Sequence, residues 1–484
     1  MIRNGNQYRE GLRDGREVWI DGERVRDVTV HPALKPIVDA RARIHDMQFE
    51  AAFESKLTYG GDGSKSSVFY KPPQTKSDWK DKRVALTTVL HELGGVISRF
   101  GDETVGELWS LLDGKEVLAE SEPQFADNID RHVQKVIEGD LFLVSANTDP
   151  KGDRSKPPQE QDPDMLLHVV KETDAGIVIR GAKYETAAGY ADWAFVKPTV
   201  GPWASQALSD YAVGCMVPLG APNVKHIARS GFAGLEPLED APLANRFDEV
   251  DFLVVFDNVF VPWEDVFFRR HTRSAQYMRT NLTKYSAFAF TSRALHLADL
   301  LIGTVLWNTK QTGVDKLQAV QENIATLICY RETINAHLTA AIEDGFTSAA
   351  GLHTPNQSLL YAGRQHASYN LPRMMHIARE LCGGQICLTP SMSTFSSAGA
   401  GPWLQKFYSL NESWDSEDRR KLLALARDLV NSSHAGQKAS FLQFAQASNF
   451  LHLGAVFSSF DAAPALDFSQ KAAGMSDRIR GTLR

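Results

Sequence analysis

Apolar residues recur at steps of three and four along much of the C-terminal half of the chain. Between Asp315 and Gly345 the repeat consists of Leu317, Val320, Ile324, Leu327, Ile328, Ile334, Leu338 and Ile342. This spacing gives an α-helix one apolar stripe, with Asp315 as the predicted N-cap and Gly345 as the predicted stop. The segment "EDRRKLLALARDLVNSS", residues 417–433, predicts a second amphipathic helix.

The N-terminal part, up to about residue 138, also has a mostly helical pattern. The segment "SDWKDKRVALTTVLHELGGVISRF", residues 77–100, mixes charged and apolar residues at helical spacing. The Gly94-Gly95 pair inside it argues against one unbroken helix.

From about residue 139 to 270 the pattern is that of short β-strands bounded by glycine and proline. Residues 176–198 and 211–220 are such runs. In "DFLVVFDNVFVPWEDVFF", residues 251–268, we predict a turn at Asp257-Asn258 between two strands and a strand end at Pro262.

The order helical, β, helical predicts an α+β fold that is mainly α. We predict a helical N-terminal domain at 1–138, a β middle domain at 139–270 and a C-terminal helical bundle at 271–484. A doubly wound sheet would instead alternate strand and helix throughout.

Composition narrows the class of protein without identifying it. The chain has 484 residues, 43% hydrophobic and 23% charged, with a formal net charge of −7, which disfavours binding to nucleic acid or to an anionic membrane. We see no apolar run near the roughly 20 residues of a membrane helix and no signal peptide. Four scattered cysteines fit a cytoplasmic protein better than a disulfide framework.

Several common motifs are absent. "HELGG" at His91 lacks the second histidine of a zinc protease, and we predict no metal site. Phosphate-loop, dinucleotide-binding and Gly-x-Ser-x-Gly motifs are missing as well. Cys382 and Cys387 lack a usual zinc spacing, so we expect packed or inert thiols.

Three polar clusters remain, each with two interpretations. The loop "LVSANTDPKGDRSKPP", residues 143–158, is a domain linker or holds a charged ligand. Arg99 in "SRFGDE" is a salt-bridged arginine or lines a binding site. Gly383-Gly384 in "ARELCGGQICLTPS" ends a helix or lets the backbone approach a ligand closely.

Taken together, these segments resemble the 4-hydroxyphenylacetate 3-monooxygenase family, the oxygenase components of two-component flavin systems. The resemblance runs nearly end to end. It is carried by "GNQYREGLRDGREVWIDGERVRDVTVHPAL", "NTDPKGDRSKPP", "VKETDAGIVIRGAK", "PLANRFDEVDFLVVFDNVFVPWEDVF", "GGQICLTPS" and "WDSEDRRKLLALARDLVNSSHAGQ".

The resemblance implies an acyl-CoA-dehydrogenase-like fold: a helical N-terminal domain, a β-barrel-like middle domain and a C-terminal helical bundle. It also implies a homotetramer or dimer that receives reduced FAD (FADH2) from a separate flavin reductase. With O2 the flavin would form a C4a-hydroperoxyflavin, which hydroxylates a small aromatic or heteroaromatic substrate. The cofactor supplies the oxygen chemistry, while the protein orients the reactants and excludes water.

The resemblance also implies site residues. Arg99 matches an arginine of the substrate pocket, and Ser145 occupies the position of a catalytic histidine. Thr186 lies one position from a flavin-contacting threonine. The remaining residues implied at the flavin are Ala146, Asn147, Lys151, Asp153, Arg154 and, from a neighbouring subunit, Gly383, Gly384 and Gln385.

The chain departs from the phenol hydroxylases of this family at three points. It has Ser145 in place of histidine, Glu103 in place of tyrosine, and no histidine in "YSAFAFTSRAL", residues 285–295. A serine hydroxyl cannot take up a proton near neutral pH. We therefore expect a substrate that needs little deprotonation, and a loss of only about fivefold in Ser145→Ala.

Two other functions stay open at this point. The first is a flavin-fold lyase of the 4-hydroxybutyryl-CoA dehydratase type, although its Cys and His cluster ligands are not found here. The second is a flavin-fold protein that has lost catalysis and only binds.

Overall fold

The structure is a computed structural model that describes residues 1–61, 63–153, 155–198, 203, 205–410, 414–445 and 448–475. Its N-terminal part is helical with short strands. These elements are α1 Gly5–Gly11, β1 Glu17–Ile20, β2 Glu23–Val25, α2 Lys35–Met47, α3 Glu54–Leu57, β3 Thr58–Tyr59, β4 Ser66–Ser67, α4 Lys76–Leu93, α5 Asp102–Leu112, α6 Lys115–Ala119 and α7 Gln124–Gly139.

The middle part contains most of the strands. Its elements are β5 Leu143–Ala146, β6 His168–Thr173, β7 Gly176–Thr186, β8 Trp193–Val196, β9 Val213–Pro218, β10 Val224–Ala228, α8 Ala244–Phe247, β11 Asp251–Pro262 and β12 Val266–Arg269.

The C-terminal part is a helical bundle with one small hairpin. Its elements are α9 Thr272–Asn281, α10 Thr283–Thr312, α11 Gln318–Glu343, β13 Phe346–Thr347, β14 His353–Thr354, α12 Gln357–Cys382, α13 Gln385–Leu388, α14 Met392–Phe395, α15 Gly401–Tyr408, α16 Ser416–Val430, α17 Ser433–Ser440, a π-helical turn Phe441–Ala445, α18 Asn449–Ser459 and α19 Ala463–Ala473. This arrangement confirms the predicted α+β fold class, mainly α, with most strands between two helical parts.

The main strands form two sheets. One has six strands in the order β2-β1-β10-β11-β7-β6, and the other has four in the order β12-β9-β8-β5. A bridge between Thr148 and Tyr184 joins the end of β5 to β7, so the sheets meet at one corner. The pairs β1–β10 and β5–β8 are parallel, and the other neighbours in these two sheets are antiparallel.

The N-terminal part differs from its mostly helical prediction, because β1 and β2 extend the six-stranded sheet beside β10. Strands of three or four residues are too short to show a clear alternation of apolar and polar residues, and β10, with which β1 pairs, lies about 200 residues further along the chain. The proposed division at residues 138 and 270 stays a prediction.

The predicted turn at Asp257-Asn258 is wrong. Strand β11 continues through it, and the pairing with β7 shifts register between Phe256 and Val259, which is a β-bulge. Asn258 has φ +59°, a conformation that asparagine tolerates. Because of the extra residue, the buried positions change from even numbers, ending at Phe256, to odd numbers, starting at Val259.

Helix ends follow local signals in some places and tertiary packing in others. Helix α4 begins with a Thr75 capping box and ends at Gly94, whose φ is +68°, as the glycine pair predicted. The N-cap of helix α11 is Leu317, two residues after the predicted Asp315, so the helix begins at Gln318. It ends at Glu343, two residues before Gly345.

Helix α10 runs through the centre of the molecule. It packs closely on α5, where a Cβ added to Gly106 would lie 3.0 Å from the backbone nitrogen of Ser286. By length and composition, Thr272–Thr312 could also cross a membrane, contrary to our expectation from the sequence. However, 61% of its most apolar window is buried inside the protein.

Candidate active site

The loop that carries Arg99 is fixed by Glu249, the last residue of the "RFDE" segment. The backbone N–H groups of Ser98 and Arg99 donate to the Glu249 carboxylate at 2.7–2.8 Å. Lys438 of α17 donates to the same carboxylate. Burial opposes the charge, but Lys438 and the backbone N–H groups outweigh it and lower the pKa of Glu249. The carboxylate therefore ties the loop to the C-terminal bundle.

The Arg99 side chain is buried between two glutamates. Its Nη2 lies 2.9 Å from Glu185 Oε1 on β7, and its Nη1 lies 3.8 Å from Glu103 Oε1 on α5. Burial raises the pKa of Glu185 to about 8. Burial also raises the pKa of Glu103 to about 7, although Arg293 opposes this shift. Both carboxyl groups therefore titrate close to neutral pH.

Ser145 belongs to a second buried group beside Arg99. Its Oγ donates to Glu107 Oε2 of α5 at 2.7 Å. Lys197, which follows β8, donates from Nζ to both Ser145 Oγ and Glu107 Oε2. Burial lowers the pKa of Lys197, although Glu107 opposes the shift. We call Ser145, Glu107 and Lys197 the serine triad.

The two groups form one electrostatic unit. Glu107 and Glu185 both act on the charge of Arg99, and Lys197 and Arg99 both act on Glu185. Sequence reasoning missed Glu107, Lys197 and Glu185. Their signal was present: each is a charged residue inside or directly beside an apolar run, where burial requires a partner.

Some polar atoms around Arg99 lack hydrogen bonds to other described residues. They are Arg99 Nε, Glu103 Oε1 and Glu185 Oε1. The 2.9 Å approach of Glu185 to Arg99 is therefore an ion pair without hydrogen-bond alignment. Buried polar atoms are normally paired, so this region retains capacity for a ligand with its own donors and acceptors.

Helix α10 contributes an aromatic ring and a further arginine. The guanidinium carbons of Arg99, Arg293 and Arg364 lie 5.6, 5.7 and 5.6 Å from the centre of the Phe290 ring. Arg293 Nη2 also binds Asp102 and lies 3.2 Å from Glu103 Oε2. Arg293 lies in the segment 285–295, which the sequence singled out only for its missing histidine.

A cavity adjoins this network between the β part and the C-terminal bundle. Its empty volume is about 600 Å³, part of it open to solvent. Ser98, Arg293, Asp428, His434 and Lys438 line its polar side. Its other walls are largely apolar and include Val96, Phe247, Leu297, Leu300, Leu301, Met375, Leu429 and Leu442.

The loop after β5 leaves the serine triad toward the surface. Ala146 is buried, and the Asn147 carbonyl accepts from Lys183 Nζ at 3.3 Å. Lys151 and Asp153 are exposed, and Asp153 accepts from the backbone and hydroxyl of the residue two positions later. Arg154 lies outside the described residues.

The other predicted flavin contacts fall into two groups: Thr186 lies near Arg99, whereas Gly383, Gly384 and Gln385 form a distant set. Thr186, next to Glu185, donates from Oγ1 to Asp251 at 2.5 Å. Gly383 and Gly384 are exposed at the end of α12. Gln385 accepts from Arg419 at 2.7 Å.

The distant set lies at the far end of α10. Arg419 also binds Asn308, fifteen residues along α10 from Arg293. That separation is about 22 Å. Within one chain the structure therefore places Gly383, Gly384 and Gln385 away from Arg99 and Ser145.

The cysteines and possible metal ligands give no second centre. Cys382 is buried, whereas Cys387 is exposed and therefore not packed; that Cys387 is an inert thiol stays a prediction. Within the described ranges, no group of three or more His, Cys, Asp or Glu side chains is arranged to hold a metal ion.

Comparison with known proteins identifies the family. Residues 4–268 match the profile of the 4-hydroxyphenylacetate 3-hydroxylase N-terminal region, and residues 274–474 match that of its C-terminal region. The chain therefore belongs to the 4-hydroxyphenylacetate 3-hydroxylase family.

Individual relatives agree with this assignment. The chain is 28% identical to the 4-hydroxyphenylacetate 3-monooxygenase oxygenase component of Thermus thermophilus, over 92% of both chains. It is 30% identical to the oxygenase component of a 4-nitrophenol 4-monooxygenase/4-nitrocatechol 2-monooxygenase of Rhodococcus opacus, over 84% of this chain and 78% of the relative. A crystal structure of a 4-hydroxyphenylacetate 3-monooxygenase oxygenase component complexed with FAD superposes with a TM-score of 0.90 and 26% identity, covering 97% of this chain and 98% of that one.

Proposed function

We propose that this chain is the oxygenase component of a two-component monooxygenase, which uses reduced FAD and O2 to hydroxylate an aromatic or heteroaromatic ring. The main support is the end-to-end similarity to the FAD complex, combined with the buried polar network around Arg99 beside an apolar cavity. The reduced flavin would supply the activated oxygen.

The residues at the site fit a flavin. One edge of the isoalloxazine ring carries an imide N–H, and Glu185 Oε1, which pairs with Arg99 at 2.9 Å, makes no hydrogen bond to another described residue. Ala146, Asn147 and Thr186 lie on or beside the strands that carry the network. We propose these residues, with Lys151, Asp153 and Arg154, as flavin contacts.

Each part of the site has a role in this proposal. Glu249 holds the Arg99 loop in place, and Arg99 supplies a fixed positive charge for the substrate. The leucine-rich walls of the cavity exclude water, which protects reactive oxygen chemistry from hydrolysis and uncoupled loss. The protein thereby orients and shields, and the cofactor reacts.

The assembly would need partners. Reduced FAD would come from a separate flavin reductase. Large apolar side chains are exposed on the C-terminal helices, and such surfaces mark protein interfaces. They include Trp403, Phe407, Phe450, Phe457 and Phe468. We propose that a homotetramer or dimer covers them and brings Gly383, Gly384 and Gln385 to the flavin of a neighbouring subunit.

We further propose a cytoplasmic location, which four free cysteines support. Light scattering coupled to size exclusion would measure the oligomeric state. A monomer at micromolar concentration would contradict the proposed assembly, though not the proposed reaction.

A reductase-coupled assay tests the reaction itself. The purified protein would be mixed with a flavin reductase, NADH and FAD, and oxygen consumption, H2O2 and hydroxylated product would be measured with 4-nitrophenol and 4-hydroxyphenylacetate as first candidates. We expect substrate to divert oxygen from H2O2 into product. A protein that neither binds reduced FAD nor changes the yield of H2O2 would contradict the proposed function.

A further inference from the structure

The cavity between the β part and the C-terminal bundle contains polar groups for which the proposed reaction has no use. They include Asp428 near the end of α16 and His434 near the start of α17. Their exposed fractions are 1% and 5%, respectively. Asp428 Oδ1 and His434 Nδ1 make no hydrogen bond to another described residue. Buried polar atoms are normally paired, so the cavity has unused hydrogen-bonding capacity at this end.

Asp428 is a buried carboxylate without a cationic side chain bound to it. Its Oδ2 accepts from the backbone N–H groups of Leu243 and Ala244 at 2.6 and 2.8 Å. Its Oδ1 is unpaired, and no basic side chain among the described residues forms an ion pair with it. A buried charge is unfavourable unless a group of opposite charge or several hydrogen bonds compensate it. Two backbone N–H groups therefore leave room for a cation.

The basic side chains around Asp428 are already engaged elsewhere. Arg246 acts on the carboxylate electrostatically, but its guanidinium donates to three backbone carbonyls. Lys438 is paired with Glu249, and Arg293 is paired with carboxylates of α5. Although Lys438 and Arg293 line the same cavity, Asp428 is the charged group there that lacks a partner of opposite sign.

His434 adds a second acceptor to the same side of the cavity. Its Nε2 lies 3.4 Å from the carbonyl oxygen of Phe247, to which it can only donate. Burial lowers the pKa of His434, and the charge of Lys438 acts in the same direction, although Asp428 opposes the shift. A neutral ring that donates from Nε2 has an acceptor at Nδ1. The polar end therefore suits a ligand that carries both donor hydrogens and positive charge.

The remaining walls show what kind of cation fits. They are largely apolar and come mainly from α10, including Leu297, Leu300 and Leu301. A hydrated metal ion needs about six oxygen ligands, and no group of metal-binding side chains occurs in the described part of the chain. Hydrocarbon walls instead favour an organic ion with an apolar body. Part of the cavity is open to solvent, which gives a small molecule a route of entry.

We propose that this cavity is a binding site for a small organic ammonium ion. The ammonium group binds the Asp428 carboxylate through charge-assisted hydrogen bonds, and His434 supplies a second acceptor beside it. The hydrocarbon part packs on the leucine side chains of α10. This site goes beyond the proposed monooxygenase function and does not depend on it, because neither Arg99 nor Ser145 takes part. A filled cavity would exclude water from the bundle as effectively as an empty one.

The experiment measures the binding of simple amines to the whole protein by titration calorimetry. The probes are isobutylamine and cyclohexylamine, which are protonated at neutral pH. Each is compared with the alcohol of the same carbon skeleton, and cyclohexanecarboxylate tests the opposite charge. The variants are Asp428→Asn, which removes the charge, and Leu301→Phe, which fills apolar space. Asp418→Asn is the matched control, because Asp418 lies on the same helix with a side chain that is 62% exposed.

We expect both amines to bind at least about tenfold more tightly than their alcohols, the difference that one charge-assisted hydrogen bond can provide. Asp428→Asn should weaken amine binding by about tenfold or more and leave alcohol binding nearly unchanged. Leu301→Phe should weaken both, because the larger ring occupies the space of the hydrocarbon part. Asp418→Asn should behave as the wild type.

Thermal unfolding separates loss of the site from loss of the fold. Asparagine keeps an oxygen for the backbone N–H groups at α8 and removes the unpaired charge, so Asp428→Asn should melt no lower than the wild type without ligand. The amines should raise the melting temperature of the wild type and not of this variant. A much lower melting temperature for Asp428→Asn would show that the protein itself compensates the charge, and the proposal would be wrong.

Other results would also overturn the site. If neither amine binds, ordered water alone satisfies Asp428 and His434. Equal affinity for amine and alcohol, tighter binding of cyclohexanecarboxylate, or full amine affinity in Asp428→Asn would each remove the cation site. The titration would be repeated with reduced FAD under anaerobic conditions. Competition between amine and flavin would show that the amine occupies the flavin site and not this cavity.

Discussion

The pair of Glu249 and Lys438 should contribute strongly to stability, and the contribution can be worked out from its contacts. In Glu249→Leu, the hydrogen bond that Lys438 would keep among the described residues is the 3.3 Å contact with Ser98 Oγ. The backbone N–H groups of Ser98 and Arg99 also lose their acceptor. Removing one partner of a buried ion pair costs about 3–5 kcal/mol. We expect a loss of that size.

Lys438→Met should cost less, about 2–3 kcal/mol, because Glu249 would keep its backbone hydrogen bonds. The double variant should lose about 1–3 kcal/mol less than the sum of the single variants, since the second change removes the charge that the first left unpaired. Urea unfolding followed by circular dichroism would measure all three. Lys471→Met is the control, since its ion pair with Asp467 is largely exposed and should matter little.

The pH dependence gives an independent check. The pKa of Glu249 is lower in the folded protein than its ordinary value of 4.5. Its stabilisation is therefore present above about pH 4.5 and is lost as the pH falls through the folded pKa. The gap in stability between wild type and Glu249→Leu should narrow on acidification. Strict additivity in the double variant, or a gap that stays constant down to acid pH, would refute this reasoning.

Four further predictions follow from the site and its support. Burial raises the pKa of Glu185 to about 8, so the contribution of Glu185 to stability is present below about pH 4.5 and is lost as the pH rises through 8. Glu185→Gln should therefore reduce the fall in unfolding free energy between these pH values. An unchanged pH dependence in this variant would contradict the prediction. The purified protein should be nearly colourless and bind reduced FAD more tightly than oxidised FAD, and tightly bound oxidised flavin would count against a two-component oxygenase. Arg154→Ala should weaken reduced-FAD binding, whereas Arg99→Ala should mainly impair turnover. An equal loss of flavin binding in both variants would show that assigning Arg154 to the flavin and Arg99 to the substrate is wrong. Gly106→Val should lower the melting temperature by several degrees, because the valine side chain would clash with the backbone of Ser286. An unchanged melting temperature would show that α5 and α10 can move apart at little cost.

Local sequence determined the elements whose signals lie within a few residues of one another. The Gly94 stop of α4 could be predicted because a helix end depends on neighbouring backbone groups, and the Thr75 cap, which we did not predict, is equally local. Helical periodicity predicted helices α11 and α16 and most of the buried stripe of α11, although Leu317 and Ile328 of that stripe are exposed. The order of helical and β regions, and the motifs that resemble the family, were equally visible, because they need no knowledge of contacts.

Tertiary structure decided everything that joins distant segments. Strand β1 is too short to be predicted from its own sequence, and its pairing with β10 makes it part of the six-stranded sheet. The bulge at Asn258 depends on the register of β11 against β7, which a turn-forming dipeptide does not reveal.

The same distinction applies to the site. Arg99 and Ser145 were predicted as site residues from the family resemblance, but the side chains that contact them were not. Glu107 and Lys197 stand 38 and 52 residues from Ser145 along the chain. A charged side chain in an apolar run shows that some partner must exist, since burial without one is unfavourable. Which partner it finds depends on how α5, β5 and β8 pack together, and that packing joins Ser145 to Glu107 and Lys197 in one hydrogen-bonded group.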